Sequence, residues 1–244
     1  STEEEAQSLE TLLHVADTVQ LDQAHGLSVA DVRNAAYVLF YKEGGCCHAA
    51  SQSIIDAIAA KVPEPWAQLP RGIYKYGNGG VVGWGTICGA LNGAIAVMGY
   101  LGVHAALGNA LIDYFCTAAL PTSALVGFVS PAVVPAPLAT TKTSVSNSPL
   151  CHVSSATWAA LAAVPIADAS KKDRCAKLTC DIVARAVELM NDKFLSNVTP
   201  PAWAPPASYA TCYTCHTKPN VVPSQEGKMD CLECHTVSPV HDTW

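Results

Sequence analysis

Two C-x-x-C-H units close the chain: Cys212-Tyr213-Thr214-Cys215-His216 and Cys231-Leu232-Glu233-Cys234-His235. Nothing else in the sequence constrains folding so strongly. Two thiols three positions apart can each add to one vinyl group of the same haem, and the histidine that follows is then held under the iron. Zinc knuckles would use Cys₂His₂ or Cys₄ sets, but a histidine directly adjacent to its own cysteine is badly placed to share a small tetrahedral ion with it. The motifs therefore predict two covalent haems c, with Cys212, Cys215, Cys231 and Cys234 as attachment points and His216 and His235 as proximal ligands. A segment built this way needs little regular structure, because the haem itself supplies the core.

Pro200-Pro201 and Pro205-Pro206 mark a linker before the motifs. Residues 1–200 are expected to form one domain and 201–244 a di-haem segment. Half of the chain is hydrophobic and only 14% is charged, which is core-rich. A net charge of −6 gives no reason to expect nucleic acid as a partner. Covalent haem attachment takes place outside the bacterial cytoplasm. Ser1-Thr2-Glu3-Glu4-Glu5 accordingly reads as the start of a processed chain, periplasmic, with its export signal removed.

The pattern along residues 1–200 is helical. Residues 3–20 suit an acidic helix. Ser28 and Asp31 form a capping signal for a helix to about Tyr41. After Gly44-Gly45 a second helix runs from about Cys46 to Lys61 and ends at Pro63-Glu64-Pro65. Ser170 and Asp173 give another capping signal for a helix through about Asn191. Residues 76–112 contain no Asp, Glu, Lys or Arg, long enough for a bilayer. They also hold ten glycines, three asparagines and a histidine, and lack flanking positive clusters. A tight loop over 77–85 followed by a buried helix from about Thr86 to Val103 is the better reading, with no membrane span. Residues 114–150 are weakly periodic and place no element. The fold class is mainly α.

Seven cysteines lie outside the haem motifs. Buried small hydrophobes, disulfides and iron–sulfur ligands are all open. On the helix after Ser170, Cys175 lines up with Leu178, Ile182, Ala186 and Leu189, while Cys180 lies about 140° round. On the helix from Cys46, Cys47 aligns with Ala50, Ile54 and Ile58, and Cys46 sits over Ser53 and Ala57. Cys88 opens the predicted buried helix.

Gly44-Gly45-Cys46-Cys47, Tyr76-Gly77-Asn78-Gly79-Gly80, Gly83-Trp84-Gly85-Thr86-Ile87-Cys88-Gly89-Ala90-Leu91-Asn92-Gly93, Ser148-Pro149-Leu150-Cys151-His152-Val153-Ser154 and Arg174-Cys175-Ala176-Lys177-Leu178-Thr179, ending in two C-x-x-C-H units, resemble the split-Soret cytochromes c. That family lies within a wider group carrying a C…GCAxxG…C…C cysteine pattern. The resemblance implies a helical homodimer in the periplasm of anaerobic bacteria, with two closely stacked bis-histidine haems per subunit and a ligand exchanged between subunits. It also implies a non-haem iron–sulfur centre. Its cysteines map to Cys46 or Cys47, with Cys47 taken as the ligand, and to Cys88, Cys151 and Cys175; Cys116 is in reserve.

Six histidines lie outside the motifs: His14, His25, His48, His104, His152 and His241. Of the three methionines, Met98 and Met190 fall in predicted core stripes, so histidine is the expected sixth ligand. His25, in an exposed-looking loop, and His241, just past the second motif, are the first choices, and His152 is third. Electron transfer between redox proteins in the periplasm is the expected function, with no catalytic residues. The alternative is a haem enzyme acting on nitrite or peroxide at an open haem position. A structural subunit of a larger redox complex, docking through residues 114–140, is a third. No Ser-His-Asp set, phosphate-binding loop or H-E-x-x-H site is present.

Overall fold

The computed structural model describes residues 26–122, 124–125, 142–218 and 227–233. The predicted helix at 3–20, His14, His25, His241, Cys234, His235 and residues 123 and 126–141 of the weakly periodic stretch lie outside them. The chain divides into two compact units, Ser1–Pro201 and Ala202–Trp244.

The first unit is mainly helical, and among the described residues the only β pairing is two isolated antiparallel bridges, Ile87 with Leu150 and Leu120 with Ser144. Helix α1 (Val29–Leu39) is capped as its sequence predicts, Ser28 Oγ accepting from the Asp31 amide at 3.3 Å. It runs into a π-helical turn, Phe40–Gly44. Gly45, at φ 73°, then breaks the direction and opens α2 (Cys46–Ala59). After the glycine loop come α3 (Gly89–Tyr100) and α4 (His104–Thr117), then α5 (Cys151–Ala162) and the long α6 (Ala169–Ser196).

Helix α6 packs against α1 through α5, and α2 lies along α3. The apolar stripe predicted from spacing on α2 is inside, with Cys47, Ala50, Ile54 and Ile58 fully buried, and Leu91, Ala94 and Met98 on α3 are fully buried too. Each large aliphatic side chain in this set contributes about 1.5–3 kcal/mol. Gly93 lets α2 and α3 approach, because a Cβ there would strike the Cys47 carbonyl and lie 3.0 Å from the Ser51 amide. No helix among the described residues is long and apolar enough to cross a membrane.

Two expectations are corrected. Helix α6 is capped by Asp168, whose side chain accepts from the Ser170 amide at 2.8 Å. Ser170 is therefore inside the first turn, and Asp173 is drawn into the core by Tyr37 and Tyr41 instead of capping. The buried face of α6 is also wider than one stripe. Cys180 is fully buried and Cys175 only partly so, because helices pack on α6 from several directions.

Candidate metal centre and haem-attachment segment

In the helical unit, Cys46, Cys88, Cys151 and Cys175 come together: Cys46, Cys151 and Cys175 act electrostatically on Cys88, Cys151 and Cys175 act on Cys46, and Cys175 acts on Cys151. Cys46 is the first residue of α2, Cys88 is the N-cap of α3 and Cys151 is the first residue of α5. Three positive helix ends therefore meet at the thiols, an arrangement that favours anionic sulfur. The Ile87–Leu150 bridge sets the register of two of them. Cys88 N–H donates to the Pro149 carbonyl at 2.9 Å, and Cys151 N–H donates to the Thr86 carbonyl at 2.7 Å.

Burial pushes the Cys46 thiol up to about 11, with the neighbouring Cys175 and Cys151 adding to it, while the backbone N–H groups of Gly79 and Cys47 oppose the rise. Cys88 is raised by burial first and then by Cys46 and Cys151, and the Ala90 N–H favours its anionic form. Cys151 is raised by burial and Cys175, and lowered by Lys171 and Arg174. Gly89 keeps space beside Cys46, because a Cβ there would overlap the Cys46 sulfur.

Cys47 is not in this group. Its sulfur packs under Gly77, where a Cβ would overlap it, and among the described cysteines it is Cys46, not Cys88, Cys151 or Cys175, that acts on it. Spacing had already put Cys47 on the apolar stripe of α2, and the core takes it. The first position of the group is therefore held by Cys46. Its turn is fixed by Asn78, whose Oδ1 accepts from the Cys47 amide at 3.1 Å and whose Nδ2 donates to the Gly44 carbonyl at 3.0 Å. Sequence reading missed Asn78, although a lone amide between glycines was a usable signal. It also missed Arg174, which is 2% exposed. The Arg174 Nη2 donates to Ser154 Oγ at 2.8 Å, while its Nε is buried without a partner among the described residues.

The donor set suits an iron–sulfur group: four thiols, three helix ends and a buried cation. Among the described residues no three His, Cys, Asp or Glu side chains are close enough to hold one ion. A single ion with metal–sulfur bonds near 2.3 Å needs thiolates closely gathered; a cluster of several irons, with its own bridging sulfides, spreads them.

The described histidines of this unit are occupied or at the surface. The His48 Nε2 lies 3.0 Å from Glu43, which Arg71 also holds. His104 and His152 are exposed. Met98 and Met190 are buried in the core.

In the second unit, helix α7 (Ala210–His216) carries the whole first motif. Cys212 and Cys215 lie one turn apart on one face. Cys231 opens a short 3₁₀ turn, Cys231–Glu233, and its thiol is hydrogen-bonded to Cys212. The leading cysteines of the two motifs thus touch. Tyr213, inside the first motif, holds the intervening chain, its hydroxyl donating to the Gly227 carbonyl. Tyr213 also packs against Trp203 and Tyr209, at 5.8 and 5.7 Å between ring centroids.

A family model described as "Putative redox-active protein (C_GCAxxG_C_C)" matches residues 47–189. The chain is 31% identical over 219 residues to "Split-Soret cytochrome c" of Desulfovibrio desulfuricans (strain ATCC 27774 / DSM 6949 / MB), covering 87% of this chain and 76% of that protein. The chain belongs to the split-Soret cytochrome c family. A solved split-Soret cytochrome c from Desulfovibrio desulfuricans ATCC 27774, described as having a novel iron centre, is similar at a TM-score of 0.73 and 27% identity, with 88% of this chain and 90% of that one covered. As a member of the split-Soret family the chain is a redox protein. The family-model match opens at residue 47, so the adjacent cysteines stand at its edge; the direction of the two sulfurs distinguishes them.

Proposed function

We propose that this chain is a periplasmic electron-transfer protein carrying two covalent haems c and one iron–sulfur centre. The haems attach at Cys212 and Cys215, and at Cys231 and Cys234, with His216 and His235 as proximal ligands. The observation that carries the reading is the contact between Cys212 and Cys231, which supports two haems bound side by side. Closely spaced haems pass electrons between them, and haem iron supplies the one-electron chemistry. The chain's own residues fix where each haem is tethered, and Tyr213 keeps the two tethers adjacent.

The iron–sulfur centre is assigned to Cys46, Cys88, Cys151 and Cys175. Their mutual proximity and the three helix ends support it. The iron centre named for the solved relative supports it too.

Both haems are read as bis-histidine, with His241 and His25 as sixth ligands. His25 would come from a partner subunit of a homodimer. The haem segment contributes few residues around two large apolar plates, and association would cover exposed haem surface at about 25 cal/mol per Å². The burial of Met98 and Met190 and the pairing of His48 with Glu43 support this choice by removing competitors.

Mass spectrometry of the denatured chain tests the first claim: two haems should remain bound, and a haem-free chain would overturn the reading. For the cysteine site, Cys46→Ser should remove non-haem iron while both haems stay, and Cys47→Ala should retain it. The opposite result would reassign the site. His25→Ala should turn half of the haem high-spin, and an unchanged spectrum would exclude His25.

A further inference from the structure

We infer that Arg174 is the buried counter-charge of the four-cysteine centre and holds its reduction potential up. The inference rests on the reading of Cys46, Cys88, Cys151 and Cys175 as an iron–sulfur site, and it concerns a residue that contributes no ligand.

A guanidinium stays charged in any protein environment and carries five N–H donors. Burying one without a counter-ion is strongly unfavourable. Arg174 is 2% exposed, and among the described residues its hydrogen-bond partner is the neutral Ser154 Oγ. The nearby buried carboxylates are engaged elsewhere. Asp173 pairs with Lys177 at 2.7 Å and accepts from Tyr37 and Tyr41. Asp181 accepts from the Thr122 amide and hydroxyl, both at 2.7 Å, and faces Arg33. Asp173 and Lys177 cancel, so among the described residues Arg174 is the buried cation left over.

Anionic sulfur is the remaining counter-charge, and the chain geometry supplies it. Arg174 precedes Cys175 on α6. Its partner Ser154 lies one turn beyond Cys151 on α5. The side chain therefore bridges the two helices that carry two of the four thiols, and its charge acts on Cys151. The Arg174 Nε is a buried donor with no acceptor among the described residues.

One-electron reduction of a thiolate-bound cluster adds one negative charge and breaks no bond. A fixed buried cation beside it stabilises the reduced form more than the oxidised form, because low dielectric and exclusion of water leave the charge little screened. Net charge and hydrogen bonds to sulfur are the terms that set such potentials. Lys171, which also acts on Cys151, is only partly buried and is better screened. Arg174 is thus a positioning residue with an electrostatic role.

The experiment is a dithionite titration of the holoprotein with mediators, following the non-haem centre by EPR and the haems by absorbance. Arg174→Gln keeps a donor for Ser154 and removes the charge. It should shift the one-electron equilibrium of the non-haem centre at least tenfold toward the oxidised form, 59 mV downward, with both haem midpoints unmoved. Arg174→Lys should restore the potential, and Ser154→Ala, which removes the tether alone, should leave it near wild type. An unchanged midpoint in Arg174→Gln overturns the inference, as does Arg174→Lys shifting as far as Arg174→Gln. If Arg174→Gln assembles no centre, Arg174→Lys decides: a centre at wild-type potential supports the role of charge, and no centre overturns it. Wild-type protein without non-haem iron overturns the cysteine-site reading itself, a result distinct from a centre whose potential ignores Arg174.

Discussion

The Asp173 carboxylate accepts the Tyr37 hydroxyl at 2.6 Å, joining α6 to α1 across most of the helical unit's sequence. The same carboxylate accepts from Tyr41 at 3.0 Å and pairs with the Lys177 ammonium at 2.7 Å. Lys177 is completely buried, and its contact is an ion pair whose geometry falls short of a hydrogen bond. Burial, and then Asp173, push both tyrosine hydroxyls well above their ordinary range, so they remain donors at every working pH.

Removing the charge on Asp173 should be costly. Asp173→Asn leaves a buried ammonium without a counter-ion, a loss of about 3–5 kcal/mol. Asp173→Asn combined with Lys177→Met should recover most of it, since the tyrosines keep an oxygen acceptor and neither charge of the pair remains inside. Denaturant unfolding followed by far-UV dichroism measures both. Equal destabilisation in the single and double variants would show that the ion pair is not the source.

Two glycines on α3 should respond in opposite ways. Gly93→Ala would drive a methyl into the backbone of α2 and force the helices apart, at a cost of about 1–3 kcal/mol. Gly99 is exposed with nothing within 4 Å of a Cβ, so Gly99→Ala should gain about 0.5–1 kcal/mol from helix propensity. Thermal midpoints moving in the same direction would contradict the α2–α3 packing.

Asn78 and Gly45 form a second coupled pair. Asn78→Ala deletes two hydrogen bonds to the turn before α2, about 1–3 kcal/mol together. Gly45→Ala would overlap the Asn78 side chain and strain a backbone at φ 73°. In the Asn78→Ala background the overlap disappears and only the strain persists, so the second substitution should cost less there than in the wild type. Strict additivity would remove Asn78 as the clamp.

Glu43 should make the helical unit sensitive to acid. Its hydrogen bonds from Arg71 hold the carboxyl down to about 2 from 4.5, with His48 helping and burial opposing. A folded pKa below the unfolded one gives stability that is present above about 4.5 and is lost as the pH falls through about 2. The pair is partly exposed, so screening limits the effect to under about 1 kcal/mol. The difference in thermal midpoint between wild type and Glu43→Gln should be largest above pH 4.5 and vanish near pH 2. A difference independent of pH would assign the effect to packing.

The sequence by itself determined the chemistry-bearing spacings and the helical period. The C-x-x-C-H units, the Ser28 cap and the stripe Cys47-Ala50-Ile54-Ile58 are local: neighbours in sequence are neighbours on one turn, so spacing alone carries the geometry. Which of two adjacent cysteines joins Cys88, Cys151 and Cys175 was decided only in three dimensions. Cys46 and Cys47 differ by a rotation of about 100° on α2, and that rotation means nothing until α3 and the glycine loop are in place to cover one sulfur and meet the other. The same local logic predicts a capping role for Asp173. The core claimed it because Tyr37 of α1 and Tyr41 of the π-helical turn that follows arrive from more than 130 residues away. Arg174 was equally silent, since a buried cation is recognisable only when the helices around it exclude water and its hydrogen-bonding side chain among the described residues proves to be the neutral Ser154.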